Sequence, residues 1–251
     1  MSYIDLIIYK TYAELRRDIA QVYLGMLWWI IEPLMYMGAF YFIFSAGVRS
    51  GGENYASFLL CGLTSWKWFS STLNQAANSV VAHRGLIQQV YIPKVVLPLI
   101  PVLVNWVKFF FILVLLLIFL WFMGFSPTWY WLNLIPVILV ELLLVVGCSL
   151  VLAALVPFLM DLRVLVTNGL VLLMFLSGIF FLVDDFPPEL QIYLYLNPMV
   201  SIIESFRTVL LDSKLPNWGH LAGVTVFSLF LIALGWGLFK RFDRHYAKVL
   251  S

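Results

Sequence analysis

Residues 99–123 read LIPVLVNWVKFFFILVLLLIFLWFM, and this stretch decides the class of fold. Lys108 is its only charged residue. A helix crossing the roughly 30 Å hydrocarbon layer of a bilayer needs about 20 apolar residues, and this run supplies them with Asn105 and Lys108 as its polar interruptions. Moving outward along the chain, five further apolar blocks stand at 27–48, 56–80, 132–156, 164–183 and 221–239. The whole chain is 63% hydrophobic and 11% charged, with a mean hydropathy of +0.98. Soluble domains sit near half apolar and a quarter charged, so the excess must be solvated by lipid. The predicted class is an all-α integral membrane protein with six transmembrane helices, forming one transmembrane domain over 1–251, with spans one to five in 27–183.

Block 56–80 is the least apolar, because Lys67, Asn74, Gln75 and Asn78 lie in it. The charge pattern requires it to cross. With the N-terminus placed inside, the inner side holds Lys10, Arg16, Arg17, Arg84, Lys94, Arg163, Lys240, Arg241, Arg244 and Lys248. The outer side holds Arg49, Arg207 and Lys214. Six crossings with both termini cytoplasmic satisfy the positive-inside rule, and the opposite topology inverts it. A net charge of +2 is too small to point to nucleic acid.

Outside the spans, Ile4, Ile8, Leu15, Ile19 and Val22 recur at helical spacing, with Asp5, Glu14, Arg17, Asp18 and Gln21 on other faces. Residues 1–25 thus contain an amphipathic helix, Tyr3 to Tyr23, that is too polar to cross and is expected at the cytoplasmic interface. Between the second and third spans, a short cytoplasmic helix fits between Gly85 and Pro93. Residues 184–220 are long for a mere connection. Two apolar pieces, 189–196 and 201–211, are broken there by Asn197 and Pro198, which predicts two short helices re-entering the membrane from outside before the last span. Residues 240–251 follow the sixth span as a cytoplasmic tail.

No phosphate-binding G-x-x-x-x-G-K-[ST] loop, H-E-x-x-H or G-x-S-x-G occurs. His83, His220 and His245 are dispersed, so no metal site and no catalytic residue is assigned. Cys61 and Cys148 read as small buried side chains within apolar blocks. Four ionisable residues fall inside spans: Glu32 and Lys108 near cytoplasmic ends, Lys67 and Glu141 deeper. The least costly arrangement pairs Glu141 with Lys67 or Lys108. Tyr36, Phe40 and Phe44 recur at i, i+4, i+8, and Trp66, Trp68 and Phe69 open the second block. Aromatic faces stack on sugar rings without demanding one sugar; the same stripe facing lipid or a neighbouring helix fits the pattern equally.

YLGMLW at 23–28 followed by Glu32 and Pro33, LTSWKWFSS at 63–71, YIPKVVLP at 91–98, FLMDLR at 158–163 and YLNPM at 195–199 occur in this order along the chain. Together they resemble the motifs of the ABC-2 type permeases of polysaccharide exporters, the family of O-antigen, teichoic acid and capsule exporters. Departures are Met160 where an arginine is common, Ser65 in place of a proline, and Lys67 in place of an uncharged residue.

The resemblance implies a homodimer in the bacterial inner membrane, multi-pass, capped by two copies of a separate ABC ATPase subunit. ATP and Mg would then be bound by that partner, with no cofactor in this chain and no enzymatic step of its own. Its substrate would be a lipid-linked polysaccharide, O-antigen first, with capsule or teichoic acid next, then drug or lipid export by the same permease class. A polytopic membrane enzyme acting on lipid-linked sugars would need polar catalytic clusters that are sparse here. By position, His83, Arg84, Leu86, Ile87 and Val90 would couple to the ATPase, and Arg16, Arg17 and Arg84 would meet the lipid phosphate. Tyr36, Phe40, Phe44, Trp66 and Phe69 would line the substrate path. Pro187, Pro188, Asn197 and Pro198 would shape a periplasmic gate.

Overall fold

The computed structural model describes residues 3–20, 27, 28, 31, 35, 38, 42, 54–89 and 93–249. Every regular element among the described residues is helical. They are α1 (Tyr3–Ala20), α2 (Tyr55–Ala82), α3 (Arg84–Gln89), α4 (Leu99–Phe122), α5 (Leu134–Leu155), α6 (Asp161–Phe175), α7 (Pro188–Leu194), α8 (Pro198–Leu210) and α9 (Trp218–Val249). Short 3-10 turns at Lys94–Val96 and Trp129–Asn133 lead into α4 and α5.

Proline sets several of the starts. Pro101, Pro136, Pro188 and Pro198 each fall in the first turn of a helix, where a backbone N–H has no intrahelical acceptor to lose. At α8 the preceding Asn197 completes the cap, its Oδ1 accepting from Met199 N at 3.1 Å. The C-terminus of α4 turns on Gly124 at φ +93°. There Phe125 N donates to the Leu120 carbonyl at 3.0 Å and Gly124 N to that of Trp121 at 3.1 Å, a pair of bonds that satisfies the last carbonyls and needs a left-handed residue.

Among the described residues, three stretches are long and apolar enough to cross a membrane: Lys94–Phe122, Trp129–Leu155 and Trp218–Asp243. At 28 residues, about 42 Å, α2 has the length as well, with a more polar composition. The fifth block departs from expectation. Its helix ends at Phe175 after 15 residues, about 22 Å, and the chain then runs irregularly through Gly178 at φ +73°. Residues 240–249, expected as the tail, are helical and continue α9. The first block lies almost wholly outside the described residues. Two short helices stand between the fifth and sixth blocks as expected, α7 and α8.

The closest pairing is α5 along α9, and it is built on glycine. A Cβ on Gly235 would stand 2.6 Å from Leu150 Cβ, and one on Gly147 would stand 2.9 Å from both Leu231 Cβ and the Ser228 carbonyl. Lipid tails are as apolar as leucine, so helices in a bilayer associate through close backbone approach, which small residues permit. Against this pair α2 packs, touching α4, α5, α6 and α8, while α1 lies on α4. Leu59, Trp68, Phe109, Leu144, Ile203 and Phe206 belong to the main core. A second cluster, with Val80, Leu97, Ile100, Leu150 and Tyr246, closes the end where α2 finishes. Trp121, Phe122, Trp129 and Tyr130 stay exposed around the α4–α5 turn, the placement of an interfacial aromatic belt.

Candidate functional site

The polar residues of α2 sort into two faces, about 100° apart on the helix. Gln75 turns to α4, where Asn105 Nδ2 donates to its Oε1 at 2.9 Å. Asn74 turns to α6, where Thr167 Oγ1 donates to Asn74 Oδ1 at 3.0 Å. Asn78 Nδ2 bonds back to the Asn74 carbonyl at 2.9 Å. The side chains that make this block the least apolar are therefore ties between helices and within α2. Lys67 lies on the Asn74 side, one turn before Ser70, and is exposed near the midpoint of the helix. A lysine at that depth facing lipid costs about 2.5–3.5 kcal/mol on insertion scales.

Two cavities flank Trp66. The smaller, about 380 Å³, is lined by Lys67, Ser70 and Asn74 of α2, Ile112 of α4, and Thr167 and Met174 of α6, among others. The larger, about 680 Å³, is almost wholly apolar and runs from Trp66, Phe69 and Leu73 past Cys148 to Tyr193, Asn197 and Pro198. Two residues expected on the path and two expected at the gate thus line one cavity. Trp66 and Phe69 are themselves buried, with ring centroids 5.5 Å apart. Tyr36, Phe40 and Phe44 lie outside the described residues. Pro187 and Pro188 are exposed at the start of α7.

Arg207 organises the segment after α6. Its Nη1 donates to the Gly178 carbonyl at 2.7 Å, Nη2 to that of Ile179 at 2.7 Å, and Nε to that of Phe58 at 3.1 Å. The guanidinium carbon lies 3.4 Å from the Phe58 ring centroid. Gly62 leaves room for it, since a Cβ there would stand 3.0 Å from Nη2. Irregular backbone buried in a membrane protein survives only when something satisfies its polar groups, and here one arginine does so for two consecutive carbonyls. Asn197 adds a second tie, donating through Nδ2 to Ser177 Oγ at 2.8 Å. Tyr55 adds a third, its hydroxyl donating to the Phe180 carbonyl at 3.1 Å. Farther along, the Tyr195 hydroxyl donates to Glu204 at 2.8 Å, and burial together with that carboxylate raises its pKa.

At the opposite end of α2, His83 Nδ1–H donates to the Ser79 carbonyl at 2.8 Å, and Nε2 lies 3.7 Å from Glu14 of α1. Arg84 opens α3 and is exposed, as are Arg16 and Arg17 on α1. Ile87 packs on the second core cluster. Val90 and the Leu86 side chain lie outside the described residues. Lys94, buried, pairs with Asp243 at 2.9 Å, and the Tyr246 hydroxyl donates to the Ala154 carbonyl at 3.0 Å.

The pairing expected for Glu141 is corrected. Ser65 Oγ donates to its Oε1 at 2.9 Å, and Oε2 has no partner among the described residues. Lys108 instead meets Asp18 of α1 at 2.6 Å. The amphipathic helix reaches α4 and supplies the counter-charge from outside the spans, a partner that inspection of the spans alone could not offer. Arg207, counted in the sequence only as an outer charge, was missed as a structural centre. The usable signal was a lone arginine in the apolar piece 201–211.

Among known proteins, the chain aligns over 98% of its length with 95% of the O-antigen export system permease protein RfbA of Klebsiella pneumoniae, at 27% identity. The protein of that name in Myxococcus xanthus is also 27% identical, over 98% of this chain and 96% of its own. Polysialic acid transport protein KpsM of Escherichia coli is 25% identical over 90% of this chain and 89% of its own. The family of ABC-2 type transporters matches residues 6–211, which takes in most of α1, the polar face of α2, the smaller cavity, all of the larger cavity's lining but Leu231, and the Arg207 niche. Sequence motifs, apolar helices and this match meet in one conclusion: the chain belongs to the ABC-2 type transporter family.

Proposed function

We propose that this chain is the membrane-spanning subunit of an exporter that carries a lipid-linked polysaccharide, O-antigen in particular, across the inner membrane. The observation that carries the reading is the near-full-length likeness to permeases named for O-antigen export. The chain works as a homodimer, and a separate ATPase subunit binds ATP and Mg and drives the cycle. Six spans cross the membrane with both termini cytoplasmic, α7 and α8 re-entering from the periplasmic side. The Lys67 face of α2 and the cavities beside Trp66 lie along the glycan path, the Asn197–Arg207 region forms the gate, and α3 docks on the ATPase. Likeness to a polysialic acid transport protein favours a capsular polymer as the second reading.

Deleting the gene tests both. Loss of surface O-antigen with carrier-linked glycan accumulating inside supports the first reading, and loss of capsule alone supports the second. Unchanged display of both overturns them. Cysteine labelling checks the topology: Lys214→Cys should react from outside, and Ser251→Cys only after permeabilisation. Lys214 serves better than Ser213, because Lys214 is exposed whereas Ser213 is half-buried and its hydroxyl accepts from Thr128 at 3.3 Å.

A further inference from the structure

Helix α1 turns acids toward the protein and tyrosines away from it. On the inner side Thr11 is buried, Glu14 lies 3.7 Å from His83 Nε2, and Asp18 meets Lys108 at 2.6 Å. Leu15 joins them there, packed on the second core cluster. Tyr9, Tyr12 and Arg16, at i, i+3 and i+7, share the opposite face. Tyr9 and Tyr12 are each 62% exposed, and Ile8 beside them is 60% exposed. Arg16 and Arg17 are exposed as well, whereas Asp5, the exposed acid of the helix, lies near its N-terminus. A surface helix bathed in water hides its large apolar side chains and shows its acids. The outer face of α1 does the reverse, so its surroundings are not water. Tyrosine joins an apolar ring to a polar hydroxyl and concentrates where hydrocarbon meets headgroups.

We propose that the outer face of α1 binds acidic phospholipids of the bilayer, Ile8, Tyr9 and Tyr12 resting on the acyl boundary and Arg16 and Arg17 holding headgroup phosphates. Charge complementarity selects this occupant: with Glu14 and Asp18 turned to His83 and Lys108, the arginine end of the outer face is positive. A guanidinium presents paired N–H groups that match phosphate oxygens. Arg16 and Arg17 then belong to resident lipid and not to the carrier lipid of a passenger. Nothing here depends on what the permease exports, so failure of this assignment leaves the exporter reading, judged by gene deletion, untouched.

The test places a fluorophore on this face. Ala13 is exposed on it, and Ala13→Cys can be labelled in the full-length chain that also carries Cys61→Ala and Cys148→Ala. The labelled chain is placed in phosphatidylcholine nanodiscs, free of carrier lipid, that hold a small fraction of lipid with a nitroxide high on its acyl chain. Nitroxide-labelled phosphatidylglycerol should quench the dye about fivefold more than nitroxide-labelled phosphatidylcholine. Molar salt should shrink that preference, because the Debye length falls to about 3 Å. Arg16→Gln with Arg17→Gln should abolish the preference while quenching by labelled phosphatidylcholine persists, and Arg16→Lys with Arg17→Lys should retain it. The unaltered chain, released from discs of equal phosphatidylglycerol and phosphatidylcholine and weighed intact, should keep phosphatidylglycerol. Equal quenching by the two lipids, or equal retention of both, overturns the assignment to acidic headgroups. Quenching by aqueous iodide in place of either lipid, or shielding from all three, puts the face in solvent or against a protein and overturns the membrane contact itself.

Discussion

The α5–α9 pair and the α2–α6–α8 region are held together by different physics. Between α5 and α9 the contact is backbone against backbone, made possible by Gly147 and Gly235, with no room for a methyl group. Around α2 apolar packing, such as that of Leu59 and Trp68 with Ile203 and Phe206 in the main core, is joined by polar ties: Thr167 to Asn74, Asn105 to Gln75, Asn197 to Ser177, and Arg207 to three carbonyls. Dense dispersion contacts resist any displacement, because every shift loses many of them at once. A handful of hydrogen bonds can be exchanged for others in one step. By these contacts the first region is a frame, and the second is the part whose polar ties can be exchanged.

The strongest way to break the frame is Gly235→Leu. The branched side chain would have to displace Leu150, at a cost of about 3 kcal/mol or more. Chemical unfolding in detergent should show the loss, and Gly237→Leu, with nothing within 4 Å, should show little. If the two variants unfold alike, the glycine seam is not what holds the pair.

On the polar side, Arg207→Lys should cost about 2 kcal/mol, since an ammonium cannot reach all three carbonyls in the planar geometry of a guanidinium. The distinguishing result is local. Protease cleavage or hydrogen exchange at 176–186 should rise more than at α5 or α9, and uniform change would contradict the division into a frame and a part with exchangeable ties.

Thr167→Val tests the smallest tie. Removing the bond to Asn74 should cost about 0.6 kcal/mol, the average for hydrogen bonds between helices in a bilayer. An effect on export well beyond what that loss of stability explains would sharpen the contrast, because it would place the bond in the transport cycle rather than in the fold.

Hydropathy and charge made much of this organisation legible. Runs such as 99–123 and 132–156 carry their state in composition alone, and Asn197 with Pro198 carries both a stop and a start. The irregular stretch after Phe175 was not legible, because a hydropathy window reads Leu176 to Val183 as more of the same apolar block. Ser177 and Gly178 are a turn signal inside that block, overridden by their neighbours. Glu141 was misread because its partner is a hydroxyl, Ser65, which a search for opposite charges passes over. Lys108 was misread because its partner, Asp18, lies on the amphipathic helix α1 and not in an apolar block. Tyr36, Phe40 and Phe44 stand outside the described residues; of the five aromatic residues expected on the path, Trp66 and Phe69 are described.

Arg207 grips carbonyl oxygens of Phe58, Gly178 and Ile179, and a carbonyl is the group every residue type possesses. The grip itself is consequently blind to what side chain position 179 bears, and what constrains that position is packing, since Ile179 is buried in the main core. Gly62 has no such latitude, because any side chain there intrudes on the guanidinium itself. A pool of functional variants selected from a randomised library should therefore admit apolar residues of similar size at 179 and be nearly uniform at 62.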